Sequence, residues 1–141
     1  MELIRILNKR HWKYKENRYS QLAFRNSTGG GISAIWRKCI LQNERTVCEH
    51  IRYYYSKYSE PIVYWIFLTQ DLPNNYKLKQ EDNTTGDTCH FNIYGISNRQ
   101  ARKFFIEAQN KSKESFHICQ KDNSDREFNS SDMLFSQFEK D

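Results

Sequence analysis

The sequence contains no long apolar run. Its longest one, Ile62 to Leu68, has the length of a single β-strand, whereas a membrane-spanning helix needs about 18 or more apolar residues. The residues that follow Met1 also lack the apolar segment of a secretory leader. We therefore predict a cytoplasmic protein with no membrane partner.

Cysteine pairs of the C-x-x-C type are also absent. The four cysteines are scattered, and in a cytoplasmic protein we expect them to be buried free thiols. Histidines lie beside cysteines in three places: Cys48-Glu49-His50, Cys89-His90 and His117-Ile118-Cys119. Structural zinc needs four converging ligands, and none of these short motifs supplies more than two on one face. The sequence therefore predicts no metal site and no other cofactor.

Charge is distributed unevenly between the body of the chain and its end. Residues 1–120 hold 19 Lys/Arg and 11 Asp/Glu, a net charge of +8, whereas residues 121–141 hold 3 and 6, a net charge of −3. The 141 residues have room for one domain. We predict a basic α+β domain over 1–120 and an acidic, disordered tail over 121–141. A basic body favours anionic partners such as nucleic acid, and the tail is a candidate docking segment for a protein partner.

Hydrophobic periodicity predicts the elements of the domain. Residues 43–59 carry apolar and aromatic side chains at spacings of three and four, which indicates a helix. Ser97 and Gln100 form a capping-box pattern that begins a second helix. Extended segments surround both helices, at 32–37, 62–69, 89–94 and 115–119. The β-α-β-β-α-β order over about 32–119 is that of a ferredoxin-like core, here preceded by one or two extra N-terminal strands.

The open face of that predicted sheet is the first candidate site. Both helices of such a core cover the other face, and the strands at 32–37, 88–94 and 115–119 lie side by side. The open face then carries two imidazoles, a phenol and polar neighbours: His90, His117, Tyr94, Asn92, and Ser33 or Arg37. Two histidines can act as general base and general acid, so His90, His117 and Tyr94 are candidate catalytic residues for metal-independent RNA cleavage. The same face suits plain binding of single-stranded RNA or DNA, unless the N-terminal strands bury it.

A segment near the N-terminus, residues 9–19, interleaves cations with aromatic side chains. This composition is typical of surfaces that stack bases and contact phosphates. The candidate nucleic-acid-binding residues, here and elsewhere, are His11, Trp12, Lys13, Tyr14, Arg18, Arg25 and Arg37. The alternative is a solvated connector whose aromatic side chains pack on the body.

A polar glycine run follows Arg25. Backbone N–H groups in such a run can hold an anion, which makes Ser27, Thr28, Gly29 and Gly30 candidate anion-binding residues. The run is not a P-loop, because it has no Lys-Ser/Thr ending and no obvious helix after it. The alternative is a flexible hairpin turn.

Several short patches carry a resemblance to a known group of proteins. They are Ala23-Phe24-Arg25-x-Ser27, Gly31-Ile32-Ser33, and His90-x-Asn92-Ile93-x-Gly95-Ile96-Ser97 with Gln100 and Arg102-Lys103. In these patches the chain resembles an uncharacterised group of small bacterial proteins. The resemblance implies a bacterial, cytoplasmic accessory protein and carries no activity with it.

These observations leave three functional hypotheses. The first is a nucleic-acid-interacting domain that binds single-stranded RNA or DNA on a basic and aromatic sheet face, with RNase-like cleavage as an extension. The second is a nucleotide-directed transferase, because Arg5 on the first strand with Ser27-Thr28 before a glycine turn resembles the NAD pocket of ADP-ribosyltransferases. The E-x-E pattern of many such enzymes is absent. The third is a protein-interaction module that docks through its tail.

Overall fold

The computed structural model describes residues 1–25, 31–81, 85–111 and 113–133, which form one α+β unit, as predicted. The strands are β1 (Glu2–Leu7), β2 (Trp12–Lys13), β3 (Arg18–Tyr19), β4 (Ile32–Trp36), β5 (Val63–Leu68), β6 (Lys77–Gln80), β7 (His90–Tyr94), β8 (Phe116–Cys119) and β9 (Asp125–Glu127). The helices are α1 (Arg37–Gln42), α2 (Val47–Tyr54) and α3 (Asn98–Lys111). Seven strands of the described chain form an antiparallel sheet in the order β6-β7-β4-β1-β5-β8-β9, and β2 pairs separately with β3.

The first strand lies at the centre of this sheet. β1 is apolar on both sides, since its only charged residues are Glu2 and Arg5, and a strand buried on both faces belongs in the interior. It separates β4 from β5, and β8 pairs with β5 instead of β4. The ferredoxin-like topology is therefore not confirmed. The sheet is larger because the N-terminal strand enters its middle.

One face of the sheet, which we call the aromatic face, is covered by α3 and the β2–β3 hairpin. The helix begins with the predicted capping box, in which Ser97 Oγ accepts from Gln100 N at 3.1 Å and Gln100 Oε1 accepts from Ser97 N at 3.0 Å. The centre of the face is Trp65. Five phenylalanine rings surround it at centroid distances of 4.5–5.9 Å: Phe24, Phe67, Phe104, Phe105 and Phe116. Packing between aromatic rings is thus the main stabilising interaction on the aromatic face.

The opposite face, which we call the cross-linked face, is covered by α1 and α2. The helix predicted over 43–59 is confirmed in its centre, and Thr46 caps α2 in a capping box with Glu49. Two disulfides join these helices to the sheet: Cys39–Cys89 and Cys48–Cys119. The prediction of free thiols is wrong. The partners are 50 and 71 residues apart, so that only helix-on-sheet packing brings them together.

The fold continues past the boundary at residue 120. Residues Asp125–Glu127 form β9, which pairs with β8 through Ile118↔Arg126 and its neighbours. Met133 is fully buried in the core of the aromatic face. Residues 121–133 therefore belong to the domain, and the rest of the predicted docking tail, residues 134–141, lies outside the described residues. None of the described helices has both the length and the apolar character to cross a membrane.

Candidate functional site

A cleft opens where β1 and β4 separate. β1 pairs with β5 along all six of its residues, but with β4 only at Leu3↔Trp36 and Ile4↔Ile35. Beyond Ile4 lies a cleft of about 460 Å³, which we call the basic cleft. Its polar and charged lining side chains are Arg5, Asn8, Arg10, His11, Arg25, Ser33, Tyr55, Lys57, Tyr58 and Thr85.

Arg5 bridges the gap between the two strands. Its Nη1 donates to the Ser33 carbonyl at 2.8 Å, and its Nε donates to the Ala23 carbonyl at 3.1 Å. The bond to Ser33 joins the two strands where β1 and β4 do not form ladder hydrogen bonds. Burial lowers the pKa of Arg5, with Tyr58 acting in the opposite direction. The half-buried Arg5 guanidinium is held by carbonyl groups and forms no ion pair with any described carboxylate. Its positive charge is therefore available to a ligand.

Other cations surround Arg5 in the cleft. Arg10, Arg25 and Lys57 line it, and no described lining residue is acidic. Burial, followed by the charges of Arg10, Arg25 and Arg5, lowers the pKa of His11. The buried His11 Nδ1 has no hydrogen-bond partner among the described residues. The cleft therefore has a surplus of positive charge and unused donor capacity, which is the chemistry of an anion site.

Ser33 and His90 form a hydrogen-bonded pair at the wall of the cleft. His90 Nδ1 lies 2.7 Å from the Glu81 carbonyl, which can only accept, so Nδ1 carries a proton. In the neutral ring Nε2 then accepts a hydrogen bond from Ser33 Oγ. This is the geometry by which a general base activates a serine nucleophile. Ser33 lines the cleft, whereas His90 is buried behind it.

Glu81 accepts hydrogen bonds from polar side chains of β7. Its Oε1 accepts from Tyr94 Oη and, at 3.3 Å, from Asn92 Nδ2. The bond from Tyr94 is the main cause that lowers the pKa of Glu81, and the same bond raises the pKa of Tyr94. Gly31 packs against the Tyr94 ring, where an added Cβ would lie only 3.0 Å away. Tyr94 is thus engaged with Glu81 beside β4, whereas the described partner of the Ser33 hydroxyl is His90.

His117 is not beside His90. Between β7 and β8 lie β4, β1 and β5, which corresponds to about 19 Å at the usual spacing of strands. His117 stacks on Tyr64, with ring centroids 5.3 Å apart, and its Nδ1 lies 4.0 Å from Asp125 Oδ2. The predicted placement of these two histidines on the strands either side of β4 is therefore wrong, because β8 pairs with β5 and not with β4. The face that carries them is also not open, because α1 and α2 pack on it.

The N-terminal basic segment divides between the cleft and the core. His11 lines the basic cleft together with Arg25. Trp12 is buried and makes edge contacts with Tyr19 and Phe128, at centroid distances of 5.0 and 5.5 Å. Its ring is therefore not available to stack on a base. The alternative, in which aromatic side chains pack on the body, holds for this residue.

The remaining predicted contact residues lie away from the cleft. Lys13 and Arg18 both contact Glu16, at 3.2 and 3.6 Å. Arg37 pairs with Glu2 at 3.2 Å. Tyr14 is partly buried against the aromatic core. The predicted anion-binding residues fall outside the described part of the chain: Ser27, Thr28, Gly29 and Gly30.

A second polar group, the buried polar cluster of His50, Tyr55, Asp87 and Cys89, lies under α2. His50 Nε2 lies 2.9 Å from Asp87 Oδ1, and Tyr55 Oη donates to Asp87 Oδ2 at 2.5 Å. The Cys89 N–H donates to Asp87 Oδ1 at 2.9 Å. Burial acts to raise the pKa of Asp87, but these donors together outweigh it and lower the pKa. Both His50 and Asp87 are almost completely buried.

Sequence reasoning overlooked several of these residues. Arg5 carries a visible signal, because it is a lone charge within the apolar strand Leu3-Ile4-Arg5-Ile6-Leu7, but it entered only through a resemblance. Lys57 and Asp87 carry no local signal. Both lie in segments between elements, and only the tertiary fold brings them to the cleft and to His50.

No protein-family model matches the chain, and neither the curated proteins nor the solved structures include a significant match. The resemblance to small bacterial proteins therefore stays a prediction.

Proposed function

We propose that the basic cleft binds the phosphate groups of a nucleotide, either free or at the end of a single-stranded nucleic acid. The observation that carries this proposal is the convergence of Arg5, Arg10, Arg25 and Lys57 on one concavity without a described acidic residue. Guanidinium groups match phosphate oxygens in geometry as well as in charge.

The shape of the cleft favours a nucleotide over a small inorganic anion. Its volume of about 460 Å³ lies within the range of organic ligand sites, roughly 300–1,000 Å³. Tyr55 and Tyr58 add aromatic surface to the lining, and Asn8 and Ser33 add hydrogen-bonding groups. A phosphate alone would leave most of this lining without a contact.

The proposal is tested by removing cleft cations without removing fold contacts. The double variant Arg10→Ala/Arg25→Ala changes two exposed residues of the cleft. We expect its affinity for a 5′-phosphorylated single-stranded oligonucleotide to fall at least about tenfold, because one charge-assisted hydrogen bond contributes about 1.5 kcal/mol or more. The slope of the logarithm of affinity against the logarithm of salt concentration should also become shallower by about 0.7 for each phosphate contact that is lost.

Lys13→Ala/Arg37→Ala is the matched control. It removes the same charge from two positions outside the cleft that already pair with Glu16 and Glu2. Fluorescence anisotropy over a salt series measures all three proteins. Equal losses in both double variants would show that the attraction comes from net charge alone and would overturn the cleft proposal.

Competition separates the two sources of the nucleotide. Displacement of the oligonucleotide by ATP or NAD indicates a site for free nucleotides, whereas displacement only by longer strands indicates nucleic-acid binding. A rise of the melting temperature with NAD supports the transferase alternative, since a ligand that binds only the native state stabilises it.

The Ser33–His90 pair supports a second candidate function, metal-independent cleavage of a phosphate ester bound in the cleft. Ser33 Oγ would attack phosphorus while His90 Nε2 accepts its proton, and the ester P–O bond would break as His90 returns that proton to the departing alkoxide oxygen. Water would then hydrolyse the phosphoserine and restore the Ser33 hydroxyl. Ser33→Ala should then abolish turnover in the presence of EDTA while binding of the oligonucleotide persists. If Ser33→Ala cleaved the oligonucleotide as fast as the natural protein, Ser33 would not be the nucleophile.

The disulfides bear on the proposed location. Disulfides persist in oxidising compartments and are rare in the cytoplasm. We therefore propose that the oxidised protein works outside a reducing cytosol, in contrast to the cytoplasmic location expected from the sequence. Alkylation of free thiols in intact cells, followed by mass spectrometry, decides between the two.

A further inference from the structure

The buried polar cluster has the composition of a transition-metal site. One nitrogen of His50, one carboxylate oxygen of Asp87 and Cys89 Sγ all lie within 4.8 Å of one another, and all three residues are buried. Imidazole, carboxylate and thiolate together form a donor set that zinc accepts in proteins. Calcium and magnesium prefer oxygen ligands only. The set is therefore selective for a zinc-like ion.

The environment of His50 provides an independent indication of a ligand. His50 is 1% exposed, and neither of its ring nitrogens has a well-oriented hydrogen bond among the described residues. A buried imidazole normally satisfies both nitrogens, because an unpaired buried polar atom costs about 1–3 kcal/mol. Nε2 lies beside the Asp87 carboxylate without an aligned N–H bond to it. A metal ion accepting the Nε2 lone pair would remove this deficit.

Asp87 is already oriented for such a role. Tyr55 Oη and the Cys89 N–H hold its two carboxylate oxygens, at 2.5 and 2.9 Å. Outer hydrogen bonds of this kind orient carboxylate ligands in metal sites. The missing component is a second thiolate, and Cys39 is covalently attached to Cys89. Cys39 is also the one partly exposed cysteine of the four, so a reductant reaches this disulfide from its side.

We propose that reduction of Cys39–Cys89 converts the buried polar cluster into a zinc site with Cys89, His50, Asp87 and Cys39 as ligands. Two thiol molecules of reductant supply two electrons and two protons and leave as their own disulfide, and two Cys thiols result. Zn²⁺ then binds both sulfurs and displaces their protons. The oxidised protein has no thiolate to offer and binds no zinc at this position.

Cobalt titration tests the proposal, because tetrahedral Co²⁺ bound to thiolate has a characteristic visible spectrum. The protein is Cys48→Ser/Cys119→Ser, in which only the proposed cysteines remain. After anaerobic reduction and removal of reductant, we expect one equivalent of Co²⁺ to bind with tetrahedral absorption, and Zn²⁺ to displace it. The disulfide form of the same protein should show no such spectrum.

Ligand variants establish the site. His50→Ala should weaken Zn²⁺ affinity at least about tenfold, since even outer-shell changes cost about 10–100-fold. His117→Ala, which removes an imidazole on β8, is the matched control and should bind as before. If the double serine variant does not fold, the fully reduced natural chain is titrated with the same two histidine variants. Absence of tetrahedral Co²⁺ in the reduced protein, or equal binding by His50→Ala, would overturn the proposal.

Discussion

The two faces of the sheet are stabilised by different chemistry. The aromatic face contains a cluster of large rings around Trp65, with α3 as its cover. The cross-linked face has smaller apolar side chains, two disulfides and the buried polar cluster. The sheet is therefore covered by aromatic packing on one face and by disulfide-linked helices on the other.

The two faces also differ in the polar groups that they hold. The rings that pack the aromatic face are chemically unreactive. The cross-linked face instead holds two polar pairs, Ser33 with His90 and His50 with Asp87. Buried polar groups are costly unless they are satisfied, so these pairs are candidates for chemistry on the cross-linked face. Arg5 of the basic cleft, by contrast, lies over the Phe24 ring of the aromatic face.

The largest effect is expected on the aromatic face. Trp65→Ala removes the ring at the centre of the cluster and should lower the free energy of unfolding by about 3–5 kcal/mol, as the cavity cannot collapse fully. Urea denaturation measures it. Tyr53→Ala, at a ring that is 70% exposed, is the control and should cost less than about 0.5 kcal/mol. A loss below 1 kcal/mol for Trp65→Ala would contradict the central role of the aromatic cluster.

The next effect concerns the disulfides of the other face. Cys48→Ser/Cys119→Ser should lower the free energy of unfolding by about 2–4 kcal/mol, because the unfolded chain regains the freedom of a long loop. Cys39→Ser/Cys89→Ser opens a loop of similar length, 50 against 71 residues of separation, and should cost a similar amount. If both pairs proved neutral, packing alone would hold the helices on this face.

A smaller effect is expected within the buried polar cluster. Asp87→Asn leaves its donors poorly satisfied and should cost about 1–3 kcal/mol at neutral pH. The folded pKa of Asp87 is lowered, so its carboxylate stabilises the fold above the unfolded pKa of about 3.9. That stabilisation disappears as the pH falls below this value toward the folded pKa. The difference between natural and variant protein should therefore shrink below about pH 4, as followed by urea midpoints.

The exposed Asp71→Asn is the control for that series, since Asp71 lies outside the cluster. It should change stability by less than about 0.5 kcal/mol. A constant difference between Asp87→Asn and natural protein from pH 7 to pH 2 would show that the carboxylate charge is not the stabilising feature.

The smallest effect should be the same on both faces. Thr46→Ala at the start of α2 and Ser97→Ala at the start of α3 each remove a capping-box side chain. Each should cost about 1 kcal/mol, measured as the shift in denaturation midpoint. Ser56→Ala, an exposed serine just after α2, serves as control. Strongly unequal losses would indicate that one helix depends on its cap rather than on packing.

Local features of the sequence were sufficient for several of the elements, but α1, β6 and β9 were not predicted from them. A run of β-branched and aromatic residues placed β5, apolar alternation placed β7, the three-and-four spacing placed α2, and Ser97 with Gln100 placed the start of α3. These signals are readable because each depends on neighbours within one or two turns. The α+β class follows from them directly.

Strand order and the sites depended on contacts between distant residues. The position of β1 between β4 and β5 separates His90 from His117 and opens the basic cleft at Arg5. The pairing of Cys39 with Cys89 arises only when α1 packs on the sheet. By itself, the sequence determined several of the elements and the surplus of basic charge, because propensity and charge are local properties. The tertiary structure alone decided the strand order, the disulfides and the groups that share a site, because these depend on which surfaces are buried together.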